Sequence, residues 1–224
     1  MDGGYRIQGG AYRAPDLLAR PYPVPRALHA CRISVSVVLR PPEFAVPHTQ
    51  AQLDSIPVPV RQGERIIDRV GSTDILLVTA SSAEGERGLA EQIARRAMRD
   101  TPFHSPAYTA ADSEDTRVFI AREAGAAVGL AVLRARPRWA WWSWDDWDEE
   151  RRPATGVAPM TSWTVETIWT HPSCQARGLA RRLVQVASQQ VDQPVTSFGW
   201  RRPFTPSGEA FVRQLCPEGF WVPD

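Results

Sequence analysis

The rhythm of apolar and polar positions changes several times along the 224-residue chain. Alternation with a period of two, the mark of a half-buried strand, runs through CRISVSVVLR (31–40) until Pro41-Pro42 stops it. It predicts a second strand within ERIIDRV (64–70) or DILLVTA (74–80). Residues 83–99 switch to a helical stripe, with Leu89, Ile93, Ala97 and Met98 at i, i+4, i+8 and i+9, while Gly85 and Gly88 weaken its start. RVFIARE (117–123) and AAVGLAVLRAR (126–136) flank Ala124-Gly125 and predict a hairpin. Beyond that the pattern predicts a strand over 161–170, a helix over about 176–191, a short strand at 195–199, a helix over about 206–215 and a last strand at 219–222. Thr205 is the expected N-cap of the fourth of these, with Pro206 at its first helical position. Residues 1–60, with their Gly-Gly pairs and repeated prolines, read as an extended arm holding one strand. The expected fold class is α/β (α+β), a twisted mixed sheet flanked by helices over 61–224.

Composition narrows the chemistry. A net charge of +1 provides no global attraction to nucleic acid or to an anionic membrane, so neither is expected as a partner. No apolar run reaches the roughly 20 residues of a membrane span, and no signal-peptide pattern follows the N-terminus. Cys31, Cys174 and Cys216 are odd in number and widely spaced, and His29, His48, His104 and His171 are isolated. These spacings predict no disulfide framework and no metal site, and a reducing cytoplasmic setting. The sequence contains no lysine, so all 26 basic residues are arginine. Schiff-base and P-loop lysine chemistry are thereby excluded. The abundance of Arg, Ala and Pro points to GC-rich bacterial codons.

Two stretches carry candidate chemistry. WAWWSWDDWDEE (139–150) holds five of the nine tryptophans beside five acids. It reads either as a strand end with a covering loop or as an aromatic, acidic rim that seats a cationic substrate. WTHPSCQARGLARRL (169–183) passes from strand to helix with Gly178 and Ala180 at the start of the helix. Leu179, Leu183, Val186 and Ala187 make the buried face of that helix. Its N-terminal N–H groups and dipole favour an anion. Small residues at 178 and 180 let a phosphate approach the backbone, and Arg177 and Arg181 add charged donors. Neither GK[ST] nor GxGxxG is present.

The spacing Gln175-x-x-Gly178-x-Ala180 after a strand resembles motif A of GCN5-related N-acetyltransferases (GNAT), usually Q/R-x-x-G-x-G/A. ETIWTHPSCQARGLARRLV with SFGWRRPFTPSGEAFVRQL is similar to the C-terminal half of the sister-chromatid cohesion acetyltransferases, and the similarity extends over about 62–222. The resemblance implies a GNAT-like, mostly antiparallel sheet, with acetyl-CoA as co-substrate and an amine as acceptor. By position, Gln175, Ala176, Arg177, Gly178, Leu179, Ala180 and Arg181 would meet the diphosphate, while the backbone of Ile168, Trp169 and Thr170 would pair with the pantetheine arm. Pro203 stands where that branch has an acid, and its CCHH zinc finger is missing. Cohesin itself is therefore outside the expected activity.

Acetyl transfer to an amine needs a proton acceptor, a polarised thioester and a donor for the leaving thiolate. Glu166, the one acid in the 161–170 strand, is the expected general base, directly or through water. Its competing reading is an Arg-paired or solvent-facing strand residue. All four tyrosines lie outside the C-terminal half, which leaves Ser207, Ser197 or water to protonate the thiolate, with Ser207 the chosen candidate. Cys174 reads as a small packing residue rather than a nucleophile, and His171 as the cap of the turn before Pro172. The resulting expectation is an N-acetyltransferase working by direct attack in a ternary complex. A non-catalytic acyl-CoA-binding or protein-interaction module on the same fold is the alternative, and a phosphate or nucleotide binder is a third reading. The acceptor is a small molecule or a protein lysine, and a homodimer is left open.

Overall fold

The computed structural model describes residues 56–100, 114–136, 139–150 and 162–223. The expected strand at 31–40 and most of the arm lie outside these residues.

An eight-stranded sheet organises the described chain, in the order β1-β2-β3-β4-β6-β7-β8-β5. Both candidate segments near residue 70 are strands, β1 (Ile66–Val70) and β2 (Thr73–Val78), joined antiparallel through a tight turn. The predicted helix is α1 (Glu84–Arg99). The predicted hairpin is β3 (Thr116–Glu123) with β4 (Ala126–Arg136). Its turn residues Ala124 and Gly125 both have positive φ, 49° and 77°, as two-residue turns that follow the strand twist require.

WAWWSWDDWDEE forms β5 (Trp139–Trp142) and a short helix, α2 (Trp144–Asp148), capped by the Ser143 hydroxyl, which accepts from Asp146 N–H. β6 (Ser162–Thr170) pairs antiparallel with β4 along its length. A short 3-10 turn at Pro172–Cys174 then leads to α3 (Leu179–Val191), three residues later than the periodicity suggests. The expected strand at 195–199 is instead a 3-10 turn, Val195–Ser197, followed by the two-residue strand β7 (Gly199–Trp200). Pro194 precedes that turn and its carbonyl accepts from the Ser197 hydroxyl, so local bonding overrides the β-prone Val-Thr-Ser composition. α4 (Pro206–Leu215) has the expected Thr205 cap, whose Oγ1 accepts from Gly208 N–H at 3.0 Å. β8 (Phe220–Pro223) closes the chain and pairs with β7 and β5.

Side-chain alternation along the central strands feeds two cores. Leu76, Val78, Val118, Ile120, Leu130 and Val132 pack with Ala90, Ile93 and Ala97 of α1. Ile75, Leu77, Phe119, Ala131, Leu133 and Val165 pack with Leu183, Val184 and Ala187 of α3. The sheet is thus sandwiched between helices. Gly129 in β4 permits the close seat of α3, because a Cβ there would lie 3.1 Å from Leu183 Cδ1 and 3.2 Å from Leu179 Cδ2. No helix among the described residues is long and apolar enough to cross a membrane, and they contain no cluster of three potential metal ligands.

Candidate active site

The site begins where β6 and β7 part. β7 runs parallel to β6 for only two pairs, Thr164 with Gly199 and Val165 with Trp200. The last rung is Arg201 N–H donating to Val165 C=O at 3.1 Å. Beyond it β6 continues to Thr170 against β4 alone. A register irregularity between Val132 and Leu133 makes Glu166 the extra residue of β6. His171 N–H donates to Val128 C=O at 2.9 Å. Antiparallel alternation therefore directs the N–H and C=O of Ile168 and Thr170 away from β4, toward the gap, and those of Trp169 toward β4. Of the three expected pantetheine partners, Ile168 and Thr170 present backbone to the open side. Trp169 instead buries its ring on the α1 face, with Nε1 donating to Asp100 at 3.0 Å.

The free edge leads through the 3-10 turn to α3. His171 caps that turn as expected, its Nδ1 accepting from Ser173 N–H. Gln175, Ala176, Arg177 and Gly178 are exposed in the loop. Gly178 is the N-cap of α3 at φ 77°, and Ala176 also has positive φ, 58°. The structure thus adds a reason for glycine at 178: the backbone there is left-handed, where a Cβ costs energy. An added Cβ would meet nothing within 4 Å, so the space beyond is open. No side chain caps this helix, whose first intrahelical bond is Arg182 N–H to Gly178 C=O. Helical geometry leaves the N–H groups of Leu179, Ala180 and Arg181 outside the ladder.

A cavity of about 420 Å³ lies beside this helix start, lined by Val70, Thr73, Ile75, Arg177, Gly178, Leu179 and Arg182. The arginines around it are engaged. Arg177 donates to both oxygens of Glu123, at 2.9 and 3.0 Å, and to Cys174 Sγ at 3.4 Å. Glu123 beside it holds the Arg177 guanidinium above its usual pKa. Arg182 forks onto Asp68 of β1 at 2.7 and 2.8 Å, and holds that carboxyl below its ordinary range. Arg181 reaches Gln214 of α4 at 3.3 Å. The sequence offered no sign of Glu123, Asp68 or Gln214 as partners, which stand 33 to 114 residues away from these arginines.

Glu166 sits at the parting point and is 8% exposed. Its Oε1 lies 2.8 and 2.7 Å from Arg136 Nε and Nη2, and its Oε2 accepts from Arg201 Nη1 at 2.5 Å. Oε1 therefore carries two donors, while Oε2, with one, keeps a second acceptor direction. Ser207 is exposed in the first turn of α4, its Oγ 3.2 Å from Thr205 Oγ1. Ser197 is spent on Pro194 C=O. Cys174 is 3% exposed, as a packing residue should be. Cys216 is equally buried, and burial pushes its thiol pKa up.

The tryptophan-rich stretch is mainly a core. Trp142 and Trp144 are buried, and Trp147 packs on Trp142, Phe204 and Phe220. Arg202 lies over Trp142 and Trp147, and Arg213 over Trp144. Of the acids, Asp146 accepts from Ser143 and Asp148 pairs with Arg213. Those contacts oppose the cation-seating reading.

Residues 89–194, from α1 through β6, the loop and α3, match the model of the acetyltransferase (GNAT) family. The chain carries a GNAT family domain. No curated protein matches the sequence. Among solved structures, this GNAT domain is similar to the xEco2 acetyltransferase domain bound to a lysine–CoA conjugate. That likeness has TM-score 0.62 and 18% identity, covering 73% of this chain and 98% of that one. A second structure of the xEco2 acetyltransferase domain has TM-score 0.58 and 16% identity over 74% and 98% of the two chains. A ribosomal-protein-alanine N-acetyltransferase from Brucella melitensis biovar Abortus 2308 stands lower, at TM-score 0.42 and 16% identity over 65% and 92%. At these identities the likeness is one of fold. It agrees with the mostly antiparallel GNAT-like sheet expected from the sequence, and with the branch it resembles.

Proposed function

We propose that this GNAT domain transfers the acetyl group of acetyl-CoA to an amine by direct attack in a ternary complex. The observation that carries this reading is the continuous path from the unpaired edge of β6 to the uncapped start of α3. An extended pantetheine amide chain fits the first by adding a strand, with the backbone of Ile168 and Thr170 as partners. A diphosphate fits the second, with Leu179, Ala180 and Arg181 N–H donating and the helix dipole adding attraction. Gln175, Ala176 and Gly178 form the lip of that cradle. Arg177 joins it by releasing Glu123, and Arg181 by releasing Gln214. Residues 61–224 are the catalytic unit in this reading, and 1–60 an appended arm.

Acetyl-CoA supplies the activated thioester. Glu166, two residues before Ile168, takes the proton of the incoming ammonium on the free side of Oε2, directly or through a water. Arg136 holds the carboxylate in place through its Nε and Nη2. Ser207 or water returns a proton to the leaving thiolate.

The full chain should bind coenzyme A in a calorimeter and release thiol from acetyl-CoA only when an amine is added. Glu166→Gln should leave coenzyme A affinity intact and lower turnover by at least about 100-fold, the low end for a general base. Unchanged turnover in Glu166→Gln would remove the base assignment, and absence of coenzyme A binding would remove the whole reading. The engagement of Glu166 by two arginines favours one alternative, a non-catalytic acyl-CoA-binding module. Its outcome is binding without thiol release for any amine.

A further inference from the structure

The cavity of about 420 Å³ beside the start of α3 extends past the cradle to β1 and β2, and its size is that of a small-molecule pocket. Val70 pairs with Thr73 and Asp68 with Ile75, and directly opposed residues of antiparallel strands project to one face of the sheet. Ile75 belongs to the core that packs on α3, so all four side chains lie on the α3 face. Val70, Ile75 and Leu179 give the cavity an apolar lining. Thr73, also in the lining, is 6% exposed, and its hydroxyl bonds to no described residue. A buried hydroxyl without a partner costs free energy, so a ligand that bonds to it gains by relieving that cost. Arg182 spends Nε and Nη2 on Asp68. Its Nη1, with two N–H donors, has no acceptor among the described residues.

We propose that this cavity holds the 3′-phosphorylated adenosine end of coenzyme A. The proposal rests on the acetyltransferase reading above and extends its cofactor site onto the β1–β2 hairpin. Leu179 seats on Gly129 of β4, and the strand order places β6 on one side of β4 and β2 on the other. A chain that runs from the free edge of β6 to a diphosphate at the helix start therefore reaches the cavity by continuing in the same direction. Cradle and cavity share Arg177, Gly178 and Leu179, so no wall separates them. The flat adenine ring lies against Val70, Ile75 and Leu179, and a nitrogen on its edge bonds with the Thr73 hydroxyl. The 3′-phosphate takes the N–H groups of Arg182 Nη1 while Nε and Nη2 stay on Asp68. Thr73 and Arg182 thus decide which nucleoside end the protein accepts, and the bound nucleoside fastens β1 and β2 to α3.

The test is calorimetry on the purified full chain with coenzyme A, dephospho-coenzyme A and adenosine 3′,5′-bisphosphate. Coenzyme A should bind at least about 10-fold more tightly than the dephospho form, the size of one hydrogen bond to a charged group. The bisphosphate, which lacks the pantetheine arm, should compete with coenzyme A. Thr73→Val keeps the shape, removes the hydroxyl and should weaken coenzyme A by about 2- to 10-fold, the size of one neutral hydrogen bond. Val70→Trp fills the cavity from a position that is 47% exposed. It should end competition by the bisphosphate and weaken coenzyme A by at least about 10-fold, with a melting curve like the parent's. If Val70→Trp does not fold, Thr73→Val and the dephospho comparison decide alone. Equal affinity for coenzyme A and its dephospho form would overturn the proposal, as would coenzyme A binding that Thr73→Val leaves unchanged. Either failure leaves coenzyme A binding in place and removes this proposal only. A parent protein that binds no coenzyme A removes the acetyltransferase reading and this proposal with it.

Discussion

Replacing Arg122 with methionine removes the cation at the centre of a buried triad. Arg122 is 4% exposed; its Nη1 and Nη2 each lie 2.7 Å from Glu64, and Nη2 also lies 2.7 Å from Asp74. Breaking a buried pair by deleting one partner costs about 3–5 kcal/mol, because the other charge is stranded. Asp74 would keep Arg69, which is 66% exposed and so contributes little. Glu64, 7% exposed, would keep only the backbone N–H of Arg61 at 3.1 Å. These remaining partners put the expected loss near the lower end, about 3 kcal/mol. At roughly 2–4 °C per kcal/mol for a domain of this size, the melting temperature should fall by about 6–12 °C.

The pH dependence gives the sharper check. In the parent protein the Arg122 hydrogen bond holds the Glu64 carboxyl below its ordinary value, against the raising effect of burial. That contribution is present above about pH 4 and is lost as pH falls through the folded value. Without Arg122, burial is the larger remaining effect and the folded pKa moves above the unfolded one, so the penalty fades on acidification. The stability gap between parent and Arg122→Met, from urea titrations at pH 7 and pH 4, should therefore narrow at pH 4. A gap below about 1 kcal/mol at pH 7, or one independent of pH, would refute the reasoning.

Three further substitutions test single features. Gly178→Ala should cost about 1–2 kcal/mol in chemical denaturation from left-handed strain alone, since its Cβ meets no protein atom, and Gly178→Asn should cost less. Gly129→Val should destabilise by about 1–3 kcal/mol through overpacking against Leu179 and Leu183, read as a lower urea midpoint. Thr205→Ala should lose about 1 kcal/mol by removing the hydroxyl that caps α4, measured the same way.

Elements with a local cause were legible in the sequence. The hairpin at Ala124-Gly125, the stripe of α3 and the Thr205-Pro206 start of α4 each depend on residues within a few positions. The strand expected at 195–199 lies instead at Gly199–Trp200, because its pairing is set by β6 and β8, not by Val195 and Thr196. At the site, the strand-loop-helix order and the small residues at 178 and 180 were readable. The left-handed backbone of Gly178 was not, since small size and positive φ write the same letter. Arg136 and Arg201 stand 30 and 35 residues from Glu166, and Glu123 stands 54 from Arg177. Such pairings arise from strand order, which no short pattern encodes. The Trp-rich stretch shows the converse: composition announced aromatic rings and acids together, but only packing reveals that Trp142 and Trp144 face inward.

The two-residue β7 has a mechanical corollary. The sheet consists of two leaves, β1-β2-β3-β4-β6 and the β7-β8-β5 group, sewn together by only two rungs of paired residues at Thr164 and Val165. An extended ligand lying beyond those rungs would lengthen the seam, so occupancy should slow amide hydrogen exchange in the smaller leaf more than in the larger one.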